Sequence, residues 1–121
     1  MPRKKKDPAV EDRLDNEILV DCYNEDERHV AWQCYLAEKL SFPFQARCRA
    51  RLPASPLGPG EEAEVIGIVE EDDLGPIRMK IKWRGRKMAV PLEQLAGLGL
   101  KAEAAEAISD WHYWCARGYL F

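Results

Sequence analysis

Apolar residues recur at every fourth position near the start of the chain, at Val10, Leu14, Ile18 and Cys22, while Glu11, Asp12, Asp15 and Glu17 fall mostly on other faces. That spacing predicts an amphipathic helix. At Asn24 the phase breaks, and Asn-Glu-Asp-Glu has the form of an N-cap followed three residues later by a glutamate able to reach back. A second helix is expected from there. Its apolar positions are Val30, Ala31, Cys34, Tyr35 and Leu40, widened by Trp32 and Leu36, so it should pack on more than one side. Ser41, Phe42 and Pro43 end it.

In the middle third the period changes from helical to alternating. Phe44, Ala46, Cys48, Ala50 and Leu52 alternate with Gln45, Arg47, Arg49 and Arg51, the pattern of a half-buried strand. PASPLGPG (53–60) reads as a loop. Segments 64–69 and 77–83 read as the next two strands, joined by the acidic loop EEDDLGP, and Arg84-Gly85-Arg86 as a tight turn into a strand at 87–90. Pro91, Leu92 and Leu95 suggest a short helical turn, and AGLGL leads out of it into a last helix at about 101–116. There Ala104, Ile108, Trp111 and Cys115 form an apolar stripe, and DWHYW implies docking on the core. The expected fold is α+β: two N-terminal helices and a C-terminal helix packed on a small SH3-like β-barrel of 4–5 antiparallel strands.

Residues 1–8 (MPRKKKDP) have no apolar period and are expected to form a disordered basic tail, leaving 9–121 as one domain. With 121 residues and 46% hydrophobic content the chain can bury one modest core. No apolar run approaches the roughly 18 residues of a membrane span. Asp7, Pro8, Glu11 and Asp12 stand where a signal peptide needs its apolar stretch. A cytoplasmic monomer away from the membrane is therefore expected. Cys22, Cys34, Cys48 and Cys115 have no CxxC spacing and lie within apolar patterns, which reads as reduced, buried thiols.

The net charge of −3 conceals an asymmetry. Four of the 18 basic residues lie in the first six positions, so residues 7–121 carry 14 basic against 21 acidic side chains, a charge of −7. A compact acidic body is a plausible cation binder. One candidate is the loop Glu70, Glu71, Asp72 and Asp73: consecutive carboxylates repel, and a hard cation taking 6–8 oxygen ligands relieves that repulsion. The same residues would also serve as a solvated tip that protects a sheet edge. A second is the segment Asp21, Asn24, Glu25, Asp26 and Glu27. Capping and the helix dipole account for most of it, but Asp21 ends the preceding helix and could share an ion with Glu25 or Asp26. A third group, Glu103, Glu106 and Asp110, runs along one side of the last helix and reads first as a solvated face.

No EF-hand spacing occurs, so a calcium site would have to be assembled by the fold. His29 and His112 lack partners at zinc-ligand spacing, and no nucleophile, P-loop, metalloprotease or kinase signature is present, so an enzyme is not expected. The competing reading comes from the strands. Inward apolar residues would leave Arg47, Arg49, Arg51, Arg78, Lys80 and Lys82 facing out, joined by Arg84, Arg86 and Lys87, a basic face of the kind SH3-like modules present to nucleic acid or acidic proteins. No aromatic residues are interleaved with these charges for base stacking.

The segments EDRLDNEILVDCYNEDER, YLAEKLSFPFQARC, SPLGPGEEAEVIGI, IKWRGRKMAVPLEQL and AISDWHYWCARGY together span about residues 11–119. In that order they resemble the cyanobacterial calcium-binding protein family, CcbP-like. The resemblance implies a compact α/β protein that binds calcium through an acidic surface without EF-hands, in calcium buffering or signalling. Asp21, Glu25, Glu27 and Asp110 fall inside the matching segments, whereas the 70–73 loop matches least well. The candidate ligands are thus Asp21, Glu25, Asp26, Glu70, Glu71, Asp72, Asp73 and Asp110, with Ca2+ as the expected cofactor.

Overall fold

An aspartate followed by a proline starts the first helix, because the proline ring presets a helical φ and the aspartate can cap the exposed amides. In the computed structural model, which describes residues 7–20, 22, 24–51, 55–69 and 77–117, α1 spans Pro8–Arg13 and the Asp7 side chain accepts from the Ala9 N–H at 3.0 Å. Helix formation thus begins before Val10, and Asp7 and Pro8 belong to the fold rather than to the expected tail; residues 1–6 lie outside the described residues. The chain continues as a π-helical turn, Leu14–Ile18, in which the Leu19 N–H donates to the Leu14 carbonyl at 2.8 Å. In a regular α-helix a four-residue step drifts by about 40°. The wider turn absorbs that drift, and Val10, Leu14 and Ile18 are all buried while Cys22 is half-buried.

α2 spans Glu25–Lys39 with Asn24 as N-cap, as expected. Its core face differs from the expected one. Trp32, Leu36 and Leu40 are buried together with His29, whereas Val30 is 55% exposed and Cys34 is exposed. The 29/32/36/40 row is one helical stripe, and Val30 and Cys34 fall on its far side. The expectation of four buried thiols fails at Cys34 for this reason; Cys48 is buried, Cys22 and Cys115 are half-buried, and none of the four forms a disulfide.

Five strands follow: β1 Phe44–Cys48, β2 Glu62–Ile68, β3 Arg78–Trp83, β4 Arg86–Pro91 and, after a one-turn 3-10 helix at Leu92–Gln94, β5 Leu95–Leu98. All pairs are antiparallel, in the order β4-β3-β2-β1-β5. The sheet is open, with β4 and β5 as its edges, so the closed barrel expected from the strand pattern is not formed. β5 occupies the AGLGL segment, where glycines mask the strand pattern; it pairs with β1, Ala46 opposite Gly97. β1 ends at Cys48, earlier than the alternation through Leu52 implies, and Ala50 is exposed. Arg84 (φ 51) and Gly85 (φ 74) both adopt left-handed backbone, the form that matches a two-residue hairpin turn to the twist of its strands.

Alternation sends Phe44, Ala46, Cys48, Ala63, Val65, Met79, Ile81 and Val90 into one core with Leu57, Ile77, Leu92 and Leu95. α3, Ala102–Ala116, packs on α2, on the 3-10 turn and on β5. Trp32 lies edge-on to Trp111 and Trp114, with ring centroids 5.0 and 5.7 Å away. Such pairs contribute about 0.5–1.5 kcal/mol beyond the area they bury. The docking expected of DWHYW is therefore met through Trp111, Tyr113 and Trp114, all buried. Buried Gln94 donates from Nε2 to the Leu57 carbonyl at 3.0 Å, which pins the 55–60 loop over the sheet. Among the described residues no helix is long and apolar enough to cross a membrane.

Candidate functional site

The start of α2 gathers carboxylates for a local electrostatic reason: its free N–H groups and dipole favour negative charge. Asn24 Oδ1 accepts from the Glu27 N–H at 2.9 Å, and Asn24 Nδ2 donates to Glu27 Oε1 at 3.3 Å. The expected reciprocal cap thus forms, through the asparagine side-chain amide. Asp26 and Glu27 are exposed in the first turn. Asp21 and the side chain of Glu25 lie outside the described residues.

Glu70, Glu71, Asp72 and Asp73 also lie outside the described residues. The chain leaves β2 and re-enters β3 at paired positions, with the Val69 N–H donating to the Arg78 carbonyl at 3.0 Å. Among the described residues, no group of three His, Cys, Asp or Glu side chains is drawn together in a metal-holding arrangement.

Asp110 is a different case from the solvated face expected of it. Its side chain is fully buried, and both oxygens accept from Arg13: Nε to Oδ2 at 2.9 Å and Nη2 to Oδ1 at 2.7 Å. Glu106, half-exposed, stands 3.5 Å from the same Nε. The Asp110 hydrogen bond, aided by the negative charges of Asp110 and Glu106, binds the Arg13 proton still more firmly than usual, against the opposing effect of burial. The i, i+3, i+7 spacing does align the three acids on α3, but Asp110 sits where α1 docks. A sequence signal for the pair existed only in part, as a lone arginine in the last turn of α1. A second tie joins the same elements, the Asp7 N–H donating to Tyr113 Oη at 2.9 Å.

Burial pushes Tyr35 up to about 12, with the charges of Asp110, Glu106 and Glu17 adding to it. Burial likewise raises the Cys115 thiol to about 12, with a contribution from Glu93. Neither group is poised to react near neutral pH.

The outward strand residues form the expected basic surface only in part. Arg47, Arg49, Arg51, Lys80, Lys82, Arg84, Arg86 and Lys87 are exposed and Arg78 is half-buried. The register interposes glutamates, with Arg47 opposite Glu62 and Lys82 opposite Glu64. These acids on β2 divide the face and leave its positive charge concentrated on β3 and β4.

Residues 12–115 match the profile of the CcbP family, described as calcium binding. The chain belongs to the CcbP calcium-binding family. Its fold is shared with the crystal structure of Anabaena CcbP, at 29% identity over 100% of both chains and a TM-score of 0.87. It is also similar to a calcium binding protein in its calcium-binding form, at 31% identity over 96% of both chains and a TM-score of 0.81. No curated protein sequence matches the chain significantly. Family membership agrees with the three helices on an antiparallel sheet and with the resemblance carried by the five sequence segments.

Proposed function

We propose that this protein binds Ca2+ through carboxylates that the fold brings together, without an EF-hand loop, and that it buffers or relays calcium as a monomeric cytoplasmic binding protein rather than an enzyme. The observation that carries the reading is the CcbP family match over residues 12–115, supported by likeness to a protein solved in its calcium-binding form. The order β4-β3-β2-β1-β5 with a helical turn before β5 supports relating the sheet to small SH3-like folds, here left open.

The donor chemistry fits the ion. Exposed Asp26 and Glu27 offer hard oxygen ligands at the start of α2. Asp21, Glu25 and Asp26 at the helix junction, and Glu70, Glu71, Asp72 and Asp73 between β2 and β3, are the proposed ligand sources. Bound calcium would supply positive charge that relieves repulsion among these carboxylates. Asp110 is assigned a positioning role, because the Arg13 guanidinium already occupies both its oxygens. It fixes α1 against α3, and through α1 the path of the chain toward the 21–27 junction.

Calorimetric titration of calcium into metal-free protein at physiological salt tests the reading. A saturable heat is expected; none at millimolar calcium sinks it. Two double variants locate the site, Asp72→Asn with Asp73→Asn and Asp21→Asn with Asp26→Asn. The pair that supplies ligands should weaken binding by about tenfold or more, equivalent to at least about 1.4 kcal/mol, while the other leaves it unchanged.

A further inference from the structure

Between Arg78 and Pro91 the chain carries six basic residues and no acidic one, in a protein whose net charge is −3. Lys80, Lys82, Arg84, Arg86 and Lys87 of this β3–β4 hairpin are exposed. The register sets Lys82 directly opposite Lys87, and like charges so placed cost stability. Among the described residues, no carboxylate lies within ion-pair distance of Lys80, Lys82, Arg86 or Lys87; Arg84 does pair with Glu61, at 3.6 Å, and that arginine side chain is 71% exposed. Lys82 also faces Glu64 of β2, but that carboxylate is outside ion-pair distance, so the hairpin keeps an excess of positive charge that an external polyanion would neutralise.

Two features select the polyanion. Lys80 and Lys82 project from the same face about 6.6 Å apart, two residues along a strand, a spacing comparable with that of successive phosphates on an extended nucleic-acid strand. Contrary to the expectation that no aromatic residue is interleaved with these charges, Trp83 stands between Lys82 and Arg84, and at the turn the Arg84 guanidinium lies over its half-buried ring, 4.6 Å from the centroid. A guanidinium held against an aromatic ring can offer its outer face to a base. An acidic peptide adding to the β4 edge would use the first feature but not the second, and Pro91 removes an amide donor from that edge.

We infer that the β3–β4 hairpin docks single-stranded nucleic acid through its phosphates, with Lys80, Lys82 and Lys87 as the anchors on the outward face and the Trp83–Arg84 pair, at the turn and on the other face, as a stacking platform reached around the hairpin tip. Recognition is independent of base sequence, and it does not rest on the calcium reading. The whole chain is tested by fluorescence anisotropy with a labelled oligothymidine longer than the roughly 4–16 nucleotides such a site covers. Affinity should fall with salt at a logarithmic slope of about −2, as expected for about three phosphate contacts on a single strand. Lys80→Ser, Lys82→Ser and Lys87→Ser together should weaken binding at least about tenfold and flatten that slope. The three positions are exposed and two of them repel, so this variant should fold; circular dichroism checks that it does. No binding at low salt overturns the proposal. So does an unchanged affinity in the triple variant, which would place the contact elsewhere, and so does equal competition by a polyglutamate peptide, which would point to an acidic protein.

Discussion

Arg13 with Asp110 and Lys82 with Lys87 use charge in opposite ways. The first pair joins α1 to α3 through two short hydrogen bonds, with the carboxylate fully buried. The second sets two cations side by side on an exposed hairpin. One interaction holds the fold together; the other leaves charge unsatisfied at the surface. The difference teaches where ligands can be sought in a protein that is nearly one-third charged. Carboxylates already claimed by a guanidinium are poor ion ligands, however well they fall into an acidic sequence pattern.

The largest effect is expected where charge is buried. Asp110→Ala takes both short hydrogen bonds from the Arg13 guanidinium and leaves it only the longer, half-exposed Glu106 contact, and breaking a buried pair from one side costs about 3–5 kcal/mol. Because the Arg13 side chain is 24% exposed and can reach water, the low end, about 3 kcal/mol, is the expected loss in urea unfolding. Replacing both partners, Arg13→Met with Asp110→Leu, should recover most of it. A loss under about 1 kcal/mol for Asp110→Ala, the range of an exposed pair, would break the distinction between the two regions.

Next in size is a dependence on alkaline pH. Cys115 rises from 9.0 unfolded to about 12 folded, chiefly by burial. Its neutral form is therefore the one the fold holds. The stabilisation is complete below about pH 9 and is lost as pH rises toward 12, since the unfolded chain releases the proton first. At pH 10, one unit above the ordinary value, the loss from this group is about 1.4 kcal/mol. Tyr35, raised from 10.0 to about 12, adds to the decline at still higher pH. Urea unfolding of the wild type and Cys115→Ala at pH 8 and pH 10 checks this. The variant should show the shallower decline; parallel declines would show that the thiol has no part in it.

Much of the fold could be read from local rules, and much of the candidate site could not, for physical reasons that particular residues make plain. Asn24 and Glu27 announce the start of α2 because capping is a contact three residues long. Arg84-Gly85 announces the hairpin because only certain residues adopt two successive left-handed conformations easily. β5 was harder, since Gly97 and Gly99 give no alternation and Leu95–Leu98 becomes a strand only by pairing with β1, nearly fifty residues earlier. The role of Asp110 was hidden for the same reason: its partner Arg13 stands 97 positions away. An acidic residue at helical spacing from Glu106 looks solvated until tertiary packing supplies a cation. The expected barrel failed on closure, because strand alternation specifies faces and turns but says nothing about whether the two edge strands meet.

The smallest effect sharpens the comparison from its exposed side. Lys87→Glu places an opposite charge across from Lys82, and exchanging a repulsive for an attractive cross-strand pair is worth about 0.2–1 kcal/mol. Unfolding measurements should therefore show a slightly more stable protein, with the gain shrinking as salt rises toward molar concentrations, where the screening length falls to about 3 Å. The same substitution should weaken oligothymidine binding, because it removes one phosphate anchor and adds a repelling carboxylate. A residue whose replacement stabilises the fold while impairing binding contributes nothing to holding the chain together. Asp110 gives the reverse signature, since its loss should destabilise the protein without touching the hairpin. If Lys87→Glu instead proved destabilising, Lys87 would have a structural partner, and the hairpin's charge would serve the fold just as that of Arg13 does.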